Sequence, residues 1–188
     1  VQPGTDQRHE HFAPYDEITK GVGVRLSEIF EREVEFFAVA TGTSANALAL
    51  AAMSPQWGAV FCHEMAHIQQ DECGAPEFFT AGAKLMPLQG RDGKLQADTL
   101  DRALQSAGAG VVHHAQPAAV SITQASECGT VYAASEIGAI GEVCRRHKVG
   151  LHMDGARFAN ALVGLNGSPA DITWRAGVDV LSFGATKN

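Results

Sequence analysis

From about residue 20 onward, apolar residues recur with two periods that take turns along the chain. In GVRLSEIFEREV, Val24, Ile29, Phe30 and Val34 fall at helical spacing. EFFAVA reads as a strand, and TGTSAN as a turn opening onto an Ala/Leu-rich helix, ANALALAAM. GAVFC and AKLMPLQ read as strands and ADTLDRALQS as a helix. AAVSITQ (strand), SEIGAIGEVCRRH (helix), VGLHMD (strand), ARFANALVGL (helix) and VDVLSFG (strand) complete the rhythm. The first twenty residues are polar and carry Pro3 and Pro14, which predicts an N-terminal arm over residues 1–20. Strands apolar on both faces and alternating with helices predict an α/β domain over residues 21–188, a mostly parallel sheet flanked by helices. Ligands of such sheets bind beyond the carboxyl ends of the strands, so the residues that follow each strand are the candidates for chemistry.

Composition narrows the partners. The 188 residues are 45% hydrophobic and 19% charged, as in an ordinary globular domain with a substantial core. The net charge of −7 argues against nucleic acid and anionic membranes as partners. The one basic run, Arg145-Arg146-His147-Lys148, closes a predicted helix, where cations oppose the helix dipole. Four cysteines without a CxxC pair predict reduced thiols. With no apolar stretch of 18 residues and no signal-peptide core in VQPGTDQRHEHF, a cytoplasmic protein is expected.

Three strand ends carry candidate chemistry. Thr41-Gly42-Thr43-Ser44 follows EFFAVA and opens a helix; its backbone N–H groups, hydroxyls and dipole suit a phosphate, although Thr and Ser are also ordinary helix caps. Asp154 ends VGLHMD, where a buried carboxylate needs a cation or a protonated ring nitrogen; a local pair with Arg157 would also serve. Lys187 follows VDVLSFG, where partial desolvation makes a Schiff-base nucleophile, or from where the side chain snorkels to the surface. Taken together, a phosphate cradle, a buried aspartate and a strand-end lysine are the contacts that pyridoxal phosphate requires. HEMAH, residues 63–67, has the spacing of a zinc-protease helix, with His63 and His67 as ligands and Glu64 as base. The extended form of that pattern fails, since its glycine position is Gln70 and its third histidine position is Cys73.

FAVATGTSANALAL, HIQQDECGAPEFFTAGAKL, VSITQASECGTVY, LHMDGARFANA and DVLSFGATKN, in this order, resemble the low-specificity L-threonine aldolases. These are pyridoxal-phosphate enzymes of the fold type I aspartate-aminotransferase superfamily, and the likeness runs from about residue 20 to the last residue. The resemblance implies that Lys187 holds the cofactor aldehyde and that Asp154 pairs with the pyridinium. Gly42 and Thr43 then hold the phosphate, and Arg157 contacts the phenolic oxygen or the substrate carboxylate. It assigns His67 to stack on the ring and help move the β-hydroxyl proton, leaves His63 without a role, and implies no metal. A second family histidine has Glu127 at about its place, where a carboxylate can hold a water or a proton relay. His113 and His114 are expected in a loop, and His152 as a structural residue of a strand interior.

The implied reaction is cleavage of L-threonine or L-allo-threonine to glycine and acetaldehyde, in a homodimer or homotetramer. The family pattern continues past the lysine with further strands and a small C-terminal domain. The resemblance therefore implies a transferase-like large domain, incomplete after the Schiff-base lysine, without the small domain. The usual opening SDN-type segment has no counterpart either. The rival readings are a phenylserine-type aldolase or another lyase with the same cofactor, and a non-catalytic fragment or paralogue binding partners through its sheet edge.

Overall fold

A computed structural model of the chain describes residues 16–187. These fall into two compact units, Val1–Ala38 and Val39–Asn188.

In the first unit a single helix, α1, spans Asp16–Ile29. It starts earlier and stops earlier than the apolar spacing over residues 23–34 predicts. Glu31 takes a left-handed φ of 54°, which ends the helix. Ser27 Oγ donates to the Gly23 carbonyl (2.9 Å) and accepts from the Val34 N–H (3.1 Å), folding the chain back past the helix end. Residues 16–20, expected as arm, belong to the helix, and residues 1–15 of that expected arm lie outside the described residues. EFFAVA forms no strand: residues 33–39 belong to no helix or strand, and Phe37 and Val39 are exposed. Its β-propensity is real, but a strand exists only where a neighbour takes its N–H and C=O groups, and no described strand pairs with it.

The second unit is built on five strands: β1 (Gly58–His63), β2 (Lys84–Leu88), β3 (Gln116–Thr123), β4 (Gly150–Gly155) and β5 (Val180–Phe183). Their order is β2-β1-β3-β4-β5, and every pairing is parallel. Helices α2 (Gly42–Met53), α3 (His67–Gln70), α4 (Ala75–Phe79), α5 (Ala97–Ser106), α6 (Ala134–His147) and α7 (Phe158–Leu165) lie between and before the strands. The expected strands other than EFFAVA, and helices α2, α5, α6 and α7, agree with the periodicity to within a few residues, while the short helices α3 and α4 were not expected.

Alternate strand residues serve opposite faces of the sheet. On the α2 face Leu50 packs with Val60, Cys62, Leu85 and Ala119. The intervening positions Phe61, Val120, Ile122, Leu151 and Met153 are also fully buried, as are Leu100 and Leu104 of α5 and Ile137 and Ile140 of α6. Burial on both faces explains why the strands read as continuous apolar runs.

The basic run closes α6 as expected, with Lys148 in a left-handed cap. Arg146 and His147 both bind Asp101 Oδ1 on α5, at 3.1 and 2.7 Å, so these side chains pin one helix to another. No described helix is long and apolar enough to cross a membrane.

The strand order reverses at one place. β1 leads outward to β2, and the chain then returns to β3 on the other side of β1. In an open parallel sheet such a switch point leaves a crevice at the carboxyl ends of the strands. The segments leaving β1, β3 and β4 all emerge there.

Candidate active site

The helix beside the crevice starts with a built cap. Thr41 is extended (φ −142°, ψ 158°), and its Oγ1 accepts the Ser44 N–H at 3.0 Å and contacts Ser44 Oγ at 2.9 Å. Such a cap stabilises a helix by about 1 kcal/mol. The N–H groups of Gly42 and Thr43 are among those that a helix start leaves without an intrahelical acceptor. A Cβ at Gly42 would meet nothing within 4 Å, so the mouth of α2 is open to an anion.

Asp154, near the end of β4, is buried. The local pair with Arg157 does not form among the described residues. Instead Oδ1 accepts the Ala156 N–H (3.0 Å) and Oδ2 accepts Asn46 Nδ2 (2.9 Å). Arg157 stands past the strand at the N-cap position of α7, while Asn46 of α2, packed over the sheet, reaches Asp154 directly. The next residue, Gly155, lets β5 lie close to β4, since a Cβ there would come within 2.7 Å of Leu181 and 3.0 Å of the Ser182 carbonyl.

HEMAH is not a helix. His63 is the last residue of β1 and is buried, with Nδ1 accepting the Met65 N–H (3.1 Å) and Nε2 facing the Gly90 carbonyl (3.3 Å). His67 begins α3 after a turn, so the two rings do not share a helical face. The His67 ring is half-buried and its Nδ1 lies 2.8 Å from Glu72 Oε1. The same Glu72 oxygen accepts Asn46 Nδ2 at 2.8 Å, so one amide bridges the Glu72 and Asp154 carboxylates.

Donor atoms of His67, Glu72 and Asp154 all lie within 4.8 Å of one another, a grouping that matches a metal's needs in distance. Asn46 occupies the space between the two carboxylates with an N–H donor, which offsets their repulsion in a cation's place. Burial raises the Glu72 carboxyl above its ordinary range, with hydrogen bonds from Asn46 and His67 opposing the rise.

Glu127, after β3, is half-buried. Burial raises its carboxyl too; its own backbone amide and the Arg157 charge oppose this, while the Asp154 charge adds to it. Glu127 therefore belongs to the same electrostatic cluster as Asp154 and Arg157, and its Oε1 is buried without a hydrogen-bond partner. For Lys187 the structure shows the second of the two expected placements, at the surface. It is exposed, because β5 ends at Phe183 and the chain turns out through residues 184–187; its carbonyl accepts Asn160 Nδ2 at 3.0 Å.

The structure thus gathers His67, Glu127, Asp154 and Arg157 around one crevice beside the mouth of α2, and holds Lys187 by its backbone only. It adds Glu72 and Asn46, which motif reading passed over. Asn46 did leave a signal: it is the lone polar residue in ANALALAAM. Glu72 stands in the charged stretch QQDEC and reads there as an exposed loop acid.

Pyridoxal phosphate fits these donors. Asp154 is buried and each of its oxygens keeps a lone pair for a ring N–H, while Gly42 leaves the helix mouth clear for a phosphate. Asn46 Oδ1, Glu72 Oε2 and Glu127 Oε1 are buried acceptors still lacking donors, as expected where a ligand completes a site.

The fold is the aminotransferase-like α/β architecture of pyridoxal-phosphate-dependent enzymes, and the crevice residues suit that cofactor. Residues 12–188 match the beta-eliminating lyase family, and the chain belongs to it. A low-specificity L-threonine aldolase of Pseudomonas aeruginosa is 46% identical over 181 residues, which are 96% of this chain and 51% of that protein. One from a Pseudomonas species is 43% identical over the same shares of the two chains. The solved Leishmania major threonine aldolase superposes with a TM-score of 0.75 at 28% identity, over 89% of this chain and 52% of that one. The chain spans about half the length of the curated relatives it matches.

Proposed function

We propose that this chain carries the cofactor-binding part of an aldolase that cleaves the Cα–Cβ bond of L-threonine or L-allo-threonine, giving glycine and acetaldehyde. The observation that carries the reading is the buried Asp154 carboxylate beside His67 at the strand ends, next to an open helix mouth. When bound, the cofactor delocalises the electron pair left at Cα as the bond breaks. Lys187 holds its aldehyde, Asp154 keeps a proton on the ring nitrogen, and Gly42 and Thr43 bind its phosphate. Arg157 takes the phenolic oxygen or the substrate carboxylate. His67 accepts the β-hydroxyl proton, and Glu127 holds a water or relays that proton.

The large domain spans residues 21–188 in this reading and works as a homodimer or homotetramer in the cytoplasm. The exposed Trp57, Phe78 and Phe79 suit burial against another subunit. Four free cysteines, two of them exposed, suit a reducing compartment.

The matched family favours one second reading, β-elimination. The products separate the two: acetaldehyde and glycine for the aldolase, 2-oxobutyrate and ammonia for elimination of threonine. Incubation of the chain with cofactor and L-threonine, followed by assay of both product pairs, tests the reaction. Borohydride reduction and peptide mapping test the site, with the pyridoxyl group expected on Lys187; a label on Lys84 or Lys94 would refute the assignment.

A further inference from the structure

We propose that Glu72 is the positioning residue of His67, holding its ring in the tautomer protonated at Nδ1 and leaving Nε2 as the proton acceptor. The inference deepens the aldolase reading and rests on it for the use to which Nε2 is put.

The argument starts from donors and acceptors. Glu72 is buried, with no side-chain exposure, and its Oε1 faces two nitrogens, Asn46 Nδ2 at 2.8 Å and His67 Nδ1 at 2.8 Å. An amide nitrogen only donates, so one Oε1 lone pair is taken by Asn46. An ionised carboxylate only accepts, so His67 Nδ1 must carry the hydrogen. The ionised Glu72 thus selects the Nδ1–H ring. A neutral imidazole has one N–H, so Nε2 keeps its lone pair. Nε2 has no hydrogen-bond partner among the described residues, and the half-buried ring leaves it accessible.

Asn46 fixes the other end of the arrangement. Its Nδ2 donates to Glu72 Oε1 and Asp154 Oδ2, which orients its amide: a flipped Asn46 would set an oxygen against two carboxylates. The result is a continuous chain, His67–Glu72–Asn46–Asp154, joining the proton acceptor to the carboxylate assigned to the ring nitrogen. A hydrogen-bonded carboxylate behind an imidazole sets its tautomer and orientation, and for metal-bound imidazoles losing such a partner typically costs about 10- to 100-fold in affinity or activity.

The test is nitrogen-15 NMR of the cofactor-free 188-residue chain with labelled histidine at pH 8.5, the His67 signals being assigned by their absence in His67→Gln. The wild-type ring should be protonated at Nδ1 and bare at Nε2. Glu72→Met removes the acceptor while keeping the volume, and should shift His67 toward the Nε2–H form that free histidine prefers. Glu72→Gln keeps an acceptor and should retain the Nδ1–H form. With cofactor and L-threonine, the Met variant should lose about 10- to 100-fold in kcat and the Gln variant much less. A wild-type ring protonated at Nε2 overturns the proposal whether or not the variants fold. So does a Met variant that keeps the wild-type tautomer, or a Gln variant that falls as far as the Met one. Since the tautomer is read without cofactor or substrate, an inactive wild-type chain would count against the aldolase reading and leave this result standing.

Discussion

Among the groups through which acidification should cost this fold stability is His152. It is completely buried on β4, two residues before Asp154 and on the same face. Its ring bridges three strands: Nδ1 lies 2.9 Å from Ser121 Oγ on β3, and Nε2 lies 2.9 Å from Ser182 Oγ on β5. A neutral ring has one donor and one acceptor, and each hydroxyl serves either role, so the neutral form is fully satisfied. Charging the ring breaks neither bond but places a cation where water cannot reach. Burial pushes the imidazole down from 6.5 to about 4, with the Asp154 charge opposing the shift. The unfolded chain therefore takes up this proton as pH falls through 6.5, and the folded chain only near 4. Stability from this group is complete above about 6.5 and drains away as pH falls toward 4. At about 1.4 kcal/mol per pH unit the total is about 3 kcal/mol. The raised carboxyls of Glu72 and Glu127 work in the opposite sense, since the folded state binds their protons first. A comparison with His152→Gln cancels them. Urea unfolding of both proteins between pH 7.5 and 4.5 should show the wild type losing about 2–3 kcal/mol more than the variant. Parallel curves would refute the reasoning, because they would mean that the ring does not resist protonation in the fold.

Two further outcomes follow from the crevice. Asp154→Asn keeps the shape and removes the charge, so the chain should still bind pyridoxal phosphate by absorbance while kcat falls on the order of 4 kcal/mol or more; near wild-type cleavage would remove Asp154 as ring partner. His67→Ala should abolish most turnover with little loss of stability. His63→Ala should instead lower unfolding stability by about 1–3 kcal/mol, through the Met65 and Gly90 groups it leaves unpaired, and spare the chemistry. Equal losses of turnover in both, restored by zinc, would return HEMAH to a metal role.

Element type was legible from the chain because period follows from local geometry. Apolar runs such as GAVFC and VGLHMD became β1 and β4, and ADTLDRALQS became α5 residue for residue. Asp154 was legible as a candidate because it closes an apolar run at the functional edge of a parallel sheet, whereas His67 and Glu127 were candidates only through the family resemblance. Pairing was not legible. EFFAVA has the composition of a strand and stays unpaired, and α1 stops at Ile29 because Glu31 and Ser27 turn the backbone, which the spacing of Val24, Ile29, Phe30 and Val34 does not reveal. Lys187 sits near a strand end in sequence, yet the three residues after β5 carry it into the open. Least legible was the link between the candidate base and the buried carboxylate. Asn46 lies 26 residues from Glu72 and 108 from Asp154, and no local pattern encodes either contact. Only the packing of α2 over the sheet brings that one amide between two carboxylates, and burial then makes the contact matter, because there neither charge has water as an alternative.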